Sequence, residues 1–399
     1  MTIRRLVLVS CALMVCQSAL FIVRPMTSYR ILALGQGSVE VGVVSATFAL
    51  APLLLAVPFG RIAGDRRAGV VAIAGSAVMT LGCVGHALMR TVAEAITASV
   101  VLGVGHIAVV ISLQMVIAGE SPEREYDRNF AWFTVGASVG QLLGPMAGTA
   151  VLASAGEPIR GTTLAMLLAA GAAAVVMLLG VPLLPRRGGP SAGVTRGENA
   201  GAKDAIRNVV SVRGAPSALY VGLVVLSCVD LLTAYLPVLG EEIGLAPFIV
   251  GVLLAVRAGA SIASRVLIGS LSRMSRTAVL IGSACVAAVC LVALTTTAEV
   301  WALVLVMAVL GFALGFGQPL TMSWLVLLVP ATSRGDALAL RLIGNRLGQV
   351  AGPSAAAAFS GLAGSRSVFW MMGGLLASSA WLVQRFRRDD RADGRDSAP

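Results

Sequence analysis

Residues 132–145, WFTVGASVGQLLGP, return in altered form at 340–353, LRLIGNRLGQVAGP. Gly136, Gly140, Gln141, Gly144 and Pro145 have counterparts in Gly344, Gly348, Gln349, Gly352 and Pro353, 208 positions further on. A chain with such an offset is expected to fold as two copies of one unit. Both copies of the stretch lie inside long apolar runs. Glycines every fourth residue fall along one side of a helix, where the missing side chains let a second helix approach to backbone contact within a membrane. These glycines are therefore packing and gating candidates, and each proline is expected to end or kink its helix near the far surface.

The solvent follows from composition. Of the residues, 57% are hydrophobic and 12% charged, and the mean hydropathy is +0.89. Soluble domains carry about 25% charged residues, so this surface belongs in a bilayer. A net charge of +11 does not point to nucleic acid, because the arginines form no single patch. They punctuate the ends of apolar segments, as in a membrane protein. The six cysteines all sit in apolar runs, with no CxxC pair and no histidine cluster nearby, so they are read as small packing residues.

About 20 apolar residues cross a bilayer as a helix. Twelve such runs are placed at 5–24, 38–58, 68–89, 92–118, 130–153, 160–182, 216–239, 247–270, 277–297, 299–328, 336–362 and 366–385. The first lacks a small-residue cleavage site and reads as a span, not a signal peptide. The expected fold is all-α and membrane-integral, with two pseudo-symmetric six-helix halves at 1–182 and 216–385. A polar linker, 183–215, joins them, and a charged tail, 386–399, follows. With a cytosolic N-terminus, inner segments hold 21 of the 30 Lys and Arg residues and outer segments five. The excess of positive charge on one side then places both termini and the linker in the cytosol.

Two six-helix halves, a basic central loop and cytosolic termini resemble the major facilitator superfamily over nearly the whole chain. The most specific part is GASVGQLLGPMAGT at 136–149. It is similar to the fifth-helix motif of drug:proton antiporters, Gly-x3-Gly-x3-Gly-Pro-x2-Gly-Gly, with Thr149 in place of the last glycine. PFGRIAGDRRAG at 58–69 resembles the family's loop after the second helix. The resemblance assigns Asp65 to the cytosolic gate, although Gly64 holds the usual acid position. The family's fourth-helix arginine position is occupied by Ser99. The resemblance implies alternating access around a cavity where the two halves meet, at residues 1–182 and 216–385.

Chemistry in the spans falls on few residues. Asp230 alone of the 19 acids sits well inside a span, and a buried charge costs several kcal/mol unless paired or hydrated. It lies about 21 Å, and Arg257 about 15 Å, along opposed helices at 1.5 Å per residue. Three readings are open: a static ion pair, a titrating acid whose protonation biases the transport state, or two charges that do not meet. Arg341, Asn345 and Gln349 share one stripe of a helix and Arg346, Gln349 and Pro353 a neighbouring one. Such a polar face should line water or protein. Arg346 is a candidate for a substrate anion; snorkelling to cytosolic water is the alternative. Ser99, His106 and Gln114 form a polar edge on the fourth span, His106 being either a titrating group or a hydrogen-bonded packing residue. Gln17 and Arg24 share a face of the first span, with Arg24 favoured as an interfacial anchor. Tyr235, Phe312, Phe316, Trp132 and Trp324 are candidates for an aromatic cavity wall, or pack against lipid and neighbours.

A pump would need a GxxxxGK[ST] phosphate loop, and the only lysine is Lys203, in GAKD. Two isolated histidines make no metal site, and no catalytic constellation is apparent, so no enzyme is expected. The expectation is an inner-membrane carrier, acting as a monomer without cofactor. It would export a small amphipathic or anionic molecule in exchange for protons. Its partners would be that molecule and the lipid bilayer, with no nucleic acid. Uptake or exchange of an organic anion, or a transceptor that senses without moving its ligand, are the alternatives.

Overall fold

The computed structural model describes residues 1–64, 67–121, 125–183, 207, 209–267, 275–329 and 334–392. Among them the architecture is all-helical, as the apolar runs predict. The first six helices are α1 (Ile3–Ala33), α2 (Ser38–Gly64), α3 (Ala68–Leu88), α4 (Val92–Glu120), α5 (Tyr126–Ser154) and α6 (Pro158–Gly180), the last followed by a short 3-10 turn, Val181–Leu183. The second six are α7 (Ala215–Glu242), α8 (Pro247–Leu267), α9 (Arg276–Ala293), α10 (Val300–Leu328), α11 (Arg334–Ala363) and α12 (Arg366–Ala392).

Ten of these, α1 to α10, are long and apolar enough to cross a membrane. The other two are long enough but too polar. On α11 the dilution comes from Arg341, Asn345, Arg346 and Gln349, and on α12 from serines and the arginines that begin at Arg385. Large apolar side chains such as Leu54, Leu81, Leu178, Val289 and Trp301 lie exposed on the helices. In water that surface would be an aggregation hazard; in a bilayer it is the lipid contact.

The helix ends repeat as the glycine motif does. Gly35 (φ 75°) closes α1 and Gly244 (φ 76°) closes α7. In each case the next residue's N–H reaches back five positions, Gln36 to the Ile31 carbonyl at 3.2 Å and Leu245 to the Gly240 carbonyl at 2.7 Å. A left-handed glycine satisfying the last carbonyls is the Schellman stop. Gly156 and Gly364, also at positive φ, follow α5 and α11 with the same near-208 offset.

The glycine stripe of α5 lies against α1. A Cβ on Gly136 would come within 3 Å of the Ser10 carbonyl oxygen. One on Gly140 would meet Met14, Gln17 and Ser18, and one on Gly144 would meet Ser18 and Phe21. On α11, Gly348 meets Leu223 and Ser227 of α7 in the same way, and Gly352 touches Ser227. Gly344 does not join them, since a Cβ there would meet nothing within 4 Å among the described residues. Neither proline ends its helix: α5 continues past Pro145 to Ser154, and α11 past Pro353 to Ala363. A missing N–H is tolerated when neighbouring groups cover the freed carbonyl.

By contact density the chain divides into Met1–Thr195 with Thr233–Ala255, and Arg196–Leu232 with Val256–Pro399. The division expected at the linker is thus shifted for 233–255. Three contacts hold that segment in the first unit. Ser28 Oγ donates to the Ala234 carbonyl at 2.7 Å, and Tyr235 Oη donates to the Ser38 carbonyl at 2.9 Å. Gly251 packs so closely on Thr149 that any Cβ would overlap its hydroxyl.

Arg30 makes six hydrogen bonds within the first unit. Buried at 5% exposure, it donates to the carbonyls of Ala87, Met89 and Ile159 and to the hydroxyls of Thr162 and Thr163, at 2.6–3.3 Å. It joins α1 to the C-terminal end of α3, where a cation meets the negative end of the helix dipole, and to the start of α6. An ammonium cannot reproduce that planar fork. Arg30→Lys is expected to cost about 2 kcal/mol, read as a lower melting temperature in detergent. Arg90→Lys on the exposed loop should leave it unchanged; equal melting of both variants would refute the clamp.

Candidate functional site

Polar side chains gather in each unit. In the first, α1 runs helical well past Arg24, to Ala33. The Arg24 guanidinium lies 4.7 Å from the Phe48 ring centroid and 5.9 Å from that of Phe21, in the range of cation–π attraction. Phe48 also faces the His106 ring at 5.8 Å. The Nε2 of His106 lies 2.8 Å from Gln17 Oε1. Gln17 and Arg24 of α1, Phe48 of α2 and His106 of α4 thus form one cluster. It is cationic and aromatic, with partly exposed Gln17 and Arg24.

Ser99 does not share that cluster, although spacing put it on the His106 edge. Its hydroxyl lies 3.1 Å from His86 Nε2, and His86 Nδ1 lies 2.8 Å from the Gly82 carbonyl. Both side chains are buried between α3 and α4. Gly82 and Gly105 let those helices touch, each being too close to the facing backbone for a Cβ.

In the second unit the centre is Asp230 on α7, 7% exposed. Its Oδ2 accepts a hydrogen bond from Gln349 Nε2 at 2.5 Å, and Gln349 Oε1 accepts from Arg346 at 2.7 Å. The acid is therefore wired to α11 through Gln349, a partner the sequence reading placed on the right stripe without linking it to Asp230. Arg257 of α8, 2% exposed, lies within electrostatic reach of Asp230, and its Nε has no hydrogen-bond partner among the described residues. Asn345, also buried, sits one turn before Gln349.

Gln318 was missed from sequence. Its Oε1 and backbone carbonyl both accept from Arg341, at 2.5 and 2.9 Å, and its Nε2 donates to the Gly222 carbonyl at 2.8 Å. Arg341 is thus bonded to α10 and is not simply reaching for cytosolic water. The signal was a glutamine before Pro319 within an otherwise apolar run. A second missed feature is the approach of α10 to α8. Gly311 lies on the Arg257 backbone, and Gly315 on Ser261 and Ser264.

Tyr235 is fully buried and bonded to the start of α2. Trp132 is exposed, and Trp324 packs edge-on against Phe386 at 5.4 Å. Phe312 and Phe316 pair at 5.1 Å and line an apolar groove of about 380 Å³ with α9. Asp65 lies outside the described residues. Among those described, no group of three His, Cys, Asp or Glu residues could hold a metal ion.

A sequence model of the Major Facilitator Superfamily matches residues 7–298 and again 231–399. No curated protein sequence matches. Among solved structures, the fold is similar to the nucleoside transporter NupG (TM-score 0.73, 15% identity, 97% of this chain and 100% of that one). It is also similar to a bacterial homolog of the human lysosomal transporter Spinster (0.74, 16%, 98% and 99%). A POT family transporter crystallised with 5-aminolevulinic acid gives 0.73 at 14% identity, covering 97% and 96%. At these identities the likeness is one of fold.

Proposed function

Because the chain belongs to the major facilitator superfamily and is a multi-pass membrane transporter rather than an enzyme, we propose that it exports a small amphipathic or anionic molecule in exchange for protons. The observation that carries this reading is the Asp230–Gln349–Arg346 chain. It holds a carboxylate in a membrane span, bonded by an amide that a cation orients. Protonation of Asp230 removes the charge that Gln349 and the nearby Arg257 answer, and so alters the contact between α7 and α11. An equilibrium between two transport states moves only by such a difference in interaction energy.

The anionic character rests on Arg24 and His106 in the first unit and Arg346 in the second. Export rests on the 136–149 pattern and its resemblance to drug:proton antiporters. No cofactor beyond a proton gradient is required, and the protein acts as a monomer in the inner membrane. The test is transport of a compound panel into and out of proteoliposomes, with and without an imposed pH gradient. Flux opposite to proton flow supports antiport. Flux in the direction of proton flow, or exchange indifferent to the gradient, favours organic-anion uptake or exchange. Binding without flux identifies a transceptor.

Cytosolic termini follow from the arginine distribution. Reporter fusions after Arg187 and after Arg388 are both expected to report cytosol. A periplasmic signal at either site would rule out two halves of six crossings.

A further inference from the structure

Gly222 on α7 leaves a niche that buried polar groups face and none fills. A Cβ at this position would lie 3.5 Å from Thr321 Oγ1, 3.6 Å from Arg341 Nε and 3.7 Å from Asn345 Oδ1. These are ordinary contact distances, so a methyl-sized space stands there. Two of the three groups around it are engaged elsewhere. Arg341 uses its NH2 on Gln318, and the Thr321 hydroxyl donates along its own helix to the Gly317 carbonyl. Arg341 Nε and Asn345 Oδ1 are buried and have no hydrogen-bond partner among the described residues. Asn345 is 7% exposed. One group is a donor and the other an acceptor, and both are aimed at the same space.

We propose that the niche binds a single water molecule. Its oxygen accepts from the Nε–H of Arg341, and its two O–H groups donate to Asn345 Oδ1 and Thr321 Oγ1. Three hydrogen bonds are what a buried water usually makes, and a polar niche of this size is the setting that holds one. The alternative is an orphaned donor and an orphaned acceptor side by side, which folded proteins avoid. The water ties α10 to α11 over the bare Gly222 backbone of α7, beside the Gln318–Gly222 bond. Water-mediated contacts are nearly as good as direct ones, so α10 and α11 gain a polar joint without side-chain overlap. Nothing in this assignment depends on what the transporter carries.

The test is the melting temperature of the full-length protein in detergent, with no transported compound added. Gly222→Ala puts a methyl where the water sits. Alanine is the better helix residue, so an empty or irrelevant niche predicts a higher melting temperature. The water site predicts the opposite sign, a fall of a few degrees. Gly222→Ser supplies a hydroxyl of its own and should melt at or above the wild type. A Gly222→Ala protein as stable as the wild type, or more so, overturns the proposal. So does a Gly222→Ser protein that melts as low as Gly222→Ala, since crowding would then explain both. Should Gly222→Ala fail to fold, Gly222→Ser decides: melting at or above the wild type supports the site, and melting below it or failure to fold overturns it.

Discussion

Proteoliposomes carrying Asp230→Asn are expected to bind substrate yet lose the response of transport to a pH gradient. Asparagine has nearly the shape of aspartic acid, and its carbonyl still accepts from Gln349 Nε2, so the contact between α7 and α11 is kept in its protonated-like form. What disappears is the change of charge. Removing one partner of a buried charged network commonly costs about 3–5 kcal/mol when it strands the other charge. Here Arg346 keeps Gln349, and Arg257 loses the nearby counter-charge. Asp230→Asn should therefore fold with reduced stability, because Gln349 and Arg346 stay bonded while Arg257 is left without its counter-charge, and its transport defect should lie in coupling. Gln349→Leu, which withdraws the hydrogen bond from the carboxylate, should slow transport with and without the gradient. Gradient-driven flux in Asp230→Asn equal to the wild type would remove Asp230 from the coupling step. It would direct attention to His106, which contacts Gln17 and the Phe48 ring.

The sequence showed the fold clearly because the bilayer leaves few options. Every buried backbone group must be satisfied within its own helix, so each run of about 20 apolar residues had one available structure. Ends were less legible. Reading α1 as 5–24 treated RPMTSYR as its outer flank, whereas the helix holds Pro25 and continues to Ala33. A charge count sees Arg30 as a surface residue. Only the folded unit brings the carbonyls of Ala87, Met89 and Ile159 around it. The same limit applies to the site. Periodicity placed Gln349 and Asn345 on one stripe of α11, and depth along opposed helices put Arg257 near Asp230. Neither argument says which side chain reaches the carboxylate first, because that depends on how α7 and α11 are rotated about their axes. Phe48 and Gln318 went unnoticed for a related reason. One is an ordinary aromatic in an apolar run and the other a lone amide, and each gains meaning only from Arg24 and Arg341 across a helix contact.

Gly136 and Gly344 are equivalent in the internal repeat and should respond in opposite ways to one substitution. Sequence symmetry alone predicts that both are close-contact positions. In the fold, a Cβ on Gly136 would come within 3 Å of the Ser10 carbonyl oxygen of α1, an atom that cannot swing aside, while one on Gly344 meets nothing within 4 Å among the described residues. Gly136→Leu must therefore separate α1 from α5 along a face where Gly140 and Gly144 are equally tight. Overpacking costs about 1–3 kcal/mol where a side chain can shift, and more where backbone must move. Loss of folded protein in the membrane, or loss of transport by what remains, is the expected result. Gly344→Leu adds a side chain to a helix that is free to take it and gains about 0.5–1 kcal/mol by replacing a mid-helix glycine. It should match or exceed the wild type in thermal stability. The two variants are compared by membrane yield and by melting temperature in detergent. Equal damage at both positions would mean that the α11 stripe packs in the functioning protein as the α5 stripe does. Equal tolerance would mean that the α1–α5 contact is looser than its geometry implies.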